Sequence, residues 1–121
     1  MADITVSGVT IDCAEPEKLA AWWASALGWR LDGRSCQAPG GGLQRLEFMP
    51  VPESKRVKSR VHIDFGAVDV QAAVDRLVAM GATIAWEEDF PPELGYRNLV
   101  LRDPEGNEFC VGGPSDAAPG S

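Results

Sequence analysis

The chain has one histidine, three cysteines, a shortage of positive charge and no long hydrophobic run. With His62 as the only imidazole, any histidine-type acid–base step has to fall on it. Cys13, Cys36 and Cys110 lack metal-finger spacing, and an odd count without a leader pattern favours free thiols over a disulfide scaffold. No stretch approaches the roughly 18 apolar residues that would cross a bilayer, which excludes a transmembrane helix. The start, Met1–Ala2–Asp3–Ile4, has neither the basic segment nor the apolar segment of a signal peptide, so a cytoplasmic location and no membrane partner are expected. Lys and Arg number 11 against 18 Asp and Glu, a net charge of -7. Such a chain repels nucleic acid unless basic residues gather locally, and no nucleic-acid partner is expected.

What is present suits one folded domain. A length of 121 residues matches the usual domain size. Hydrophobic residues at 45% against 24% charged leave enough apolar surface to offset the entropy of ordering, which excludes intrinsic disorder.

Local patterns divide the chain into elements. A strand is expected over 4–13. Pro16 then opens a helix whose apolar residues Leu19, Trp22, Trp23 and Ala26 follow i, i+3, i+4, i+7, and Gly28 stands where a left-handed cap belongs. Short strands follow over 29–31 and 35–37, then an extended segment over 43–49 ended by Pro50 and Pro52. Asp32–Gly33 and Pro39–Gly40–Gly41–Gly42 read as turn and loop. A second series begins with a strand over 60–65. It continues with a helix over 68–80 closed by Gly81 and strands over 83–86, 97–101 and 108–111. The last two are joined by the turn Asp103–Pro104–Glu105–Gly106–Asn107. From Gly112 the composition is Gly, Pro, Ala, Ser and Asp, and this end is expected to fray.

The two series repeat. Val9–Thr10–Ile11–Asp12 echoes Val61–His62–Ile63–Asp64, both helices end in an apolar residue and glycine, and Leu46–Glu47–Phe48–Met49 echoes Asn107–Glu108–Phe109–Cys110. The expected architecture is α+β, two tandem βαβββ units with antiparallel-rich mixed sheets. They form a single domain over 1–113: unit one about 4–50, a linker 51–59, unit two about 60–113, and a flexible tail 114–121.

Side chains alternate along a strand. The apolar set Val61, Ile63, Phe65, Leu46, Phe48, Phe109 and Val111 belongs against the helices. The opposite set is Thr10, Asp12, Glu47, Met49, His62, Asp64, Glu108 and Cys110. If the two sheets curl together, this set lines one polar concavity; otherwise it is the wet side of ordinary sheets.

These residues resemble the glyoxalase, bleomycin-resistance and extradiol-dioxygenase group, the vicinal oxygen chelate superfamily, and within it the small bacterial glyoxalase-like domains. The resemblance runs from about residue 4 to 113. It is carried by Ile11–Asp12–Cys13–Ala14–Glu15–Pro16, Trp22–Trp23, Leu27–Gly28–Trp29, Val51–Pro52–Glu53, Lys58–Ser59–Arg60–Val61–His62–Ile63–Asp64 and Asp103–Pro104–Glu105–Gly106–Asn107–Glu108–Phe109–Cys110. It implies two βαβββ units whose sheets form a cup, a homodimer, and in many members a divalent metal held by His or Gln and Glu from the first and fourth strands of each unit. His62 keeps its usual type. Its unit-one counterpart is Gly8 counted from the helix, or Thr10 counted from the Val-x-Ile-Asp echo; the last-strand positions hold Met49 and Cys110.

One imidazole is too few for a divalent ion, so no cofactor is expected. If a metal is bound, His62 and Cys110 hold it with a third donor from Glu47, Glu108 or Asp64. The candidate acid–base set is His62 with Asp64 or Glu108. The candidate ligand-binding set is Thr10, Asp12, Glu47, Met49, His62, Asp64, Glu108 and Cys110. Lys55, Arg56, Lys58 and Arg60 read either as a grip for an anion or as a solvated linker. Three functions stay open: a glyoxalase-like enzyme of lyase or isomerase type acting on a small organic molecule, a non-catalytic drug- or metabolite-binding protein, and a structural or regulatory homodimer with a vestigial cup.

Overall fold

The computed structural model describes residues 8–40, 44–51 and 62–115. The expected strand residues 4–7, the glycines at 41–42, the basic run 55–60 and the end of the tail at 116–121 lie outside the described residues. Two compact units divide between Lys55 and Arg56.

Unit one contains β1 (Val9–Cys13), α1 (Pro16–Leu27), β2 (Arg30–Asp32), β3 (Ser35–Gln37) and β4 (Arg45–Pro50). Proline opens α1, where its missing N–H costs nothing. Gly28 closes the helix at φ 68°, and Trp29 N–H donates to the Ala24 carbonyl at 2.9 Å. Trp23 is buried while Trp22 is half-buried, their rings meeting edge to face at 5.0 Å. The sheet order is β1-β4-β3-β2, with β1 and β4 parallel and the other pairs antiparallel. Leu46, Phe48 and Cys36 are buried, whereas Thr10, Asp12 and Met49 are exposed and Glu47 is half-buried.

Unit two repeats the plan with β5 (Ile63–Gly66), α2 (Val70–Ala79), β6 (Thr83–Glu87), a 3-10 turn (Pro92–Leu94), β7 (Tyr96–Arg102) and β8 (Glu108–Pro114). Its sheet order, β5-β8-β7-β6, matches unit one element for element, and β5 and β8 are again the parallel pair. The register matches too. Asp12 stands opposite Met49 and Asp64 opposite Cys110, so Thr10 is the counterpart of His62, as the Val-x-Ile-Asp echo counts. Among the described residues no helix is long and apolar enough to cross a membrane.

Two expectations need correction. Helix α2 starts at Val70 rather than 68, because the Asp69 side chain caps it by accepting Ala72 N–H at 3.0 Å. The chain does not fray from Gly112. Strand β8 runs to Pro114 because β7 pairs along it to that residue, and Ala67 N–H and Ser115 N–H each close a backbone bond of 2.9 Å beside it.

Cys36 has 0% exposure, and burial pushes its thiol from 9.0 up to about 11, partly opposed by a hydrogen bond with the Leu46 backbone. The unfolded thiol therefore ionises first. The stability due to the protonated form is full below pH 9 and is lost as pH rises from 9.0 toward about 11. Urea midpoints across that window should fall more steeply for the parent than for Cys36→Ala; parallel profiles would refute the assignment.

Candidate functional site

The candidate site lies on the face of unit two's sheet turned away from α2. The α2 side is marked by Gly113, where a Cβ would sit 3.1 Å from Val70 Cγ2, and by Arg97, whose Nη1 donates to Gln71 Oε1 at 2.8 Å. Alternation then puts Tyr96, Asn98, Arg102, Glu108, Cys110, Gly112 and Asp64 on the other face.

At the start of β5, His62 Nε2 lies 3.3 Å from Asp64 Oδ1, with 39% and 77% of these side chains exposed. Parallel pairing sets Asp64 opposite Cys110. One ligating atom from each of His62, Asp64 and Cys110 falls within 4.8 Å of the others. The Cys110 thiol is raised above 9.0, first by burial, then by a hydrogen bond with Asp64 and the charges of Asp64 and Glu88; a hydrogen bond from Asn98 opposes this. A bond that raises a thiol's pKa is one in which the thiol donates. Asn98 and Asp64 therefore act on the thiol in opposite senses, and Asp64 also lies 3.3 Å from His62 Nε2. The thiol stays protonated at neutral pH and is a poor nucleophile.

Glu108 is not part of this group. It is 8% exposed, and its Oε2 accepts from Arg102 Nη2 at 3.3 Å, which ties up its charge. Glu108 and Cys110 lie on this face and are buried there, 8% and 2% exposed. Strand β8 lies between β5 and β7, and the side chains of Arg102 and Asn98 reach across to these two residues. Thr10, Asp12, Glu47 and Met49 share one face of unit one's sheet, where Thr10 pairs with Glu47 and Asp12 with Met49. Glu47 there is ion-paired with Arg45.

Sequence reasoning missed Asn98, Tyr96, Glu88 and Arg102. The signal that marks two of them is the Gly112–Gly113 pair inside a strand, which denotes close approach. A Cβ at Gly112 would overlap the Tyr96 hydroxyl and stand 2.8 Å from Asn98 Oδ1.

Residues 8–112 match the family model described as a glyoxalase-like domain. The chain belongs to this family. Solved structures of the glyoxalase, bleomycin-resistance and dioxygenase group share its fold. Among solved structures it is similar to a glyoxalase/bleomycin resistance protein/dioxygenase family enzyme from Burkholderia phytofirmans PsJN. That match has 18% identity and a TM-score of 0.72, covering 92% of this chain and 99% of that one. It is also similar to TnmS3, an antibiotic binding protein from Streptomyces sp. CB03234, at 24% identity and a TM-score of 0.67, covering 95% and 99%. A third is the fosfomycin resistance protein FosX from Listeria monocytogenes, complexed with Mn(II) and 1S,2S-dihydroxypropylphosphonic acid. It shows 16% identity and a TM-score of 0.72, covering 92% and 90%. No curated protein matches the sequence.

In this glyoxalase-like domain an imidazole, a carboxylate and a thiol meet in one place, a donor set that fits a zinc-type ion with an open position. His62, Asp64 and Cys110 would hold it, and the chemistry supplied there would be electrophilic stabilisation of a ligand oxygen. Cys110 would first have to lose its proton, against the burial that holds it.

Proposed function

We propose that this glyoxalase-like domain binds a small organic molecule on the polar face of unit two's sheet, with His62 as the acid–base group, and without the metal-ligand set usual in its superfamily. The observation that carries the reading is the 3.3 Å approach of His62 Nε2 to Asp64 Oδ1. In this reading Nε2 faces the Asp64 carboxylate, and Nδ1 is the ring nitrogen left to take up a proton. A proton taken from a bound ligand goes to Nδ1, and Asp64 stabilises the imidazolium that forms. Cys110 keeps its proton and helps to orient Asp64.

A second reading, binding without turnover, is favoured by the exposure of the dyad. With 39% of His62 and 77% of Asp64 open to solvent, the pair gains little from a low-dielectric setting. TnmS3, named as an antibiotic binding protein, shares the fold of this second reading. The proposal extends to a cytoplasmic homodimer without a nucleic-acid partner, supported by the family resemblance and the net charge of -7.

A library of small organic molecules, screened by amide NMR, tests the site. Hits that shift the amides of His62, Asp64 and Cys110 should lose at least about tenfold in affinity in His62→Ala. The free protein should lose less than about 1 kcal/mol, the usual ceiling for an exposed ion pair. A library without such hits, or hits that His62→Ala binds equally well, would overturn the proposal.

A further inference from the structure

An open groove of about 570 Å³ lies on the surface of unit two, beside the connection from β6 to β7. Its volume is in the range of small-molecule sites. Its lining includes Glu87, Glu88, Asp89, Phe90, Tyr96 and Arg97, hence three carboxylates against one guanidinium. Arg97 is committed to Glu87 through a two-pronged ion pair, Nε to Oε2 at 2.8 Å and Nη2 to Oε1 at 3.1 Å. That pair holds the Glu87 carboxyl below its ordinary value. The net negative charge of the wall is therefore carried by Glu88 and Asp89.

The apolar part of the wall is aromatic and held in place. Phe90 and Tyr96 meet edge to face at 5.5 Å. Pro91 and Pro92 lead into the 3-10 turn, whose bonds run from Leu94 N–H to the Pro91 carbonyl at 3.0 Å and from Gly95 N–H to the Pro92 carbonyl at 3.1 Å. Gly95, at φ 61°, returns the chain into β7, a conformation that glycine adopts without strain. Glu88 is oriented by the indole N–H of Trp86 at 3.3 Å. Carboxylates beside pre-set aromatic faces attract positive charge twice over, by direct Coulomb attraction and through the ring quadrupole.

We propose that this groove binds a small organic cation, an amine or quaternary ammonium on a flat apolar body, with the body against Phe90 and Tyr96 and the charge toward Glu88 and Asp89. The inference does not rest on the acid–base role of His62.

Amide NMR titration of the full chain tests it with two probes of one shape, benzyltrimethylammonium and its neutral carbon isostere neopentylbenzene. The cation should shift the amides of Glu88, Asp89, Phe90 and Tyr96 and bind about tenfold more tightly than the isostere, as cation–π and charge attraction together predict. The double variant Glu88→Gln, Asp89→Asn should erase that preference, and His62→Ala should leave it intact. Equal binding of both probes, a preference that survives the double variant, shifts confined to other residues, or no saturable binding would each overturn the proposal. Because the His62 screen reads the amides of β5 and Cys110, failure of one reading is separable from failure of the other.

Discussion

Phe109→Ala should cost about 3–5 kcal/mol of unfolding free energy, the range for a fully buried aromatic cut back to its Cβ. Phe109 is 2% exposed and stands opposite Ile63 on one side and Leu101 on the other. Its ring meets Phe65 edge to face at 5.9 Å, an arrangement that adds about 0.5–1.5 kcal/mol to burial alone. The loss would remove a large part of the roughly 5–15 kcal/mol that holds a domain folded. The consequence reaches the candidate site, because β8 carries Phe109 on its helix face and Cys110 on the opposite one. Phe109→Leu keeps most of the volume and should cost under about 2 kcal/mol. Urea unfolding of both variants checks the argument, and a loss below about 1 kcal/mol for the alanine variant would show that Phe109 is not the packing centre of this sheet.

Asp103→Ala should cost about 2–4 kcal/mol, since hydrogen bonds to a charged acceptor are worth more than neutral ones and their donors are left behind. Asp103 is 4% exposed. Its Oδ1 accepts the backbone N–H of Glu105 and of Asn107, each at 2.9 Å, and its carboxylate also receives Asn107 Nδ2 at 3.0 and 3.2 Å. Gly106 turns at φ 88°, and its N–H returns to the Asp103 carbonyl at 2.9 Å. The Asp-Pro-x-Gly-Asn turn thereby closes the β7–β8 hairpin and sets Arg102 opposite Glu108. A slip of one residue would exchange the faces of Phe109 and Cys110. Asp103→Asn keeps one oxygen as acceptor and should lose less than half as much. Hydrogen exchange should show the Glu105 and Asn107 amides losing protection first. An alanine variant within about 0.5 kcal/mol of the parent would contradict the structural role.

Much of the fold was legible because its signals are local. Pro16 and Gly28 bracket α1, the apolar positions of both helices recur at helical spacing, and the echo of Val-x-Ile-Asp announces two copies of one plan. The errors were local too. Gly112 and Gly113 read as tail composition, although glycine within a strand also marks a place where another group comes close, here Tyr96 and Asn98 at Gly112. Asp69 read as part of the helix it caps.

The candidate site was legible only in part. Alternation put His62, Asp64, Glu108 and Cys110 on one face, and the chain does place them there. It was silent on which of the acids would remain free of a basic partner. Arg102 takes Glu108, Arg45 takes Glu47, and His62 meets Asp64.

By itself, the sequence determined the α+β class, the duplication, the helix ends and the face to which each strand residue belongs, since all of these follow from spacing within a few residues. Tertiary structure alone decided that Asp64 lies against Cys110, that Glu108 is neutralised, and that Glu88 joins Phe90 and Tyr96 around one groove. Those outcomes depend on strand register and on how far a charged side chain reaches across a sheet, and no short window of sequence contains both partners.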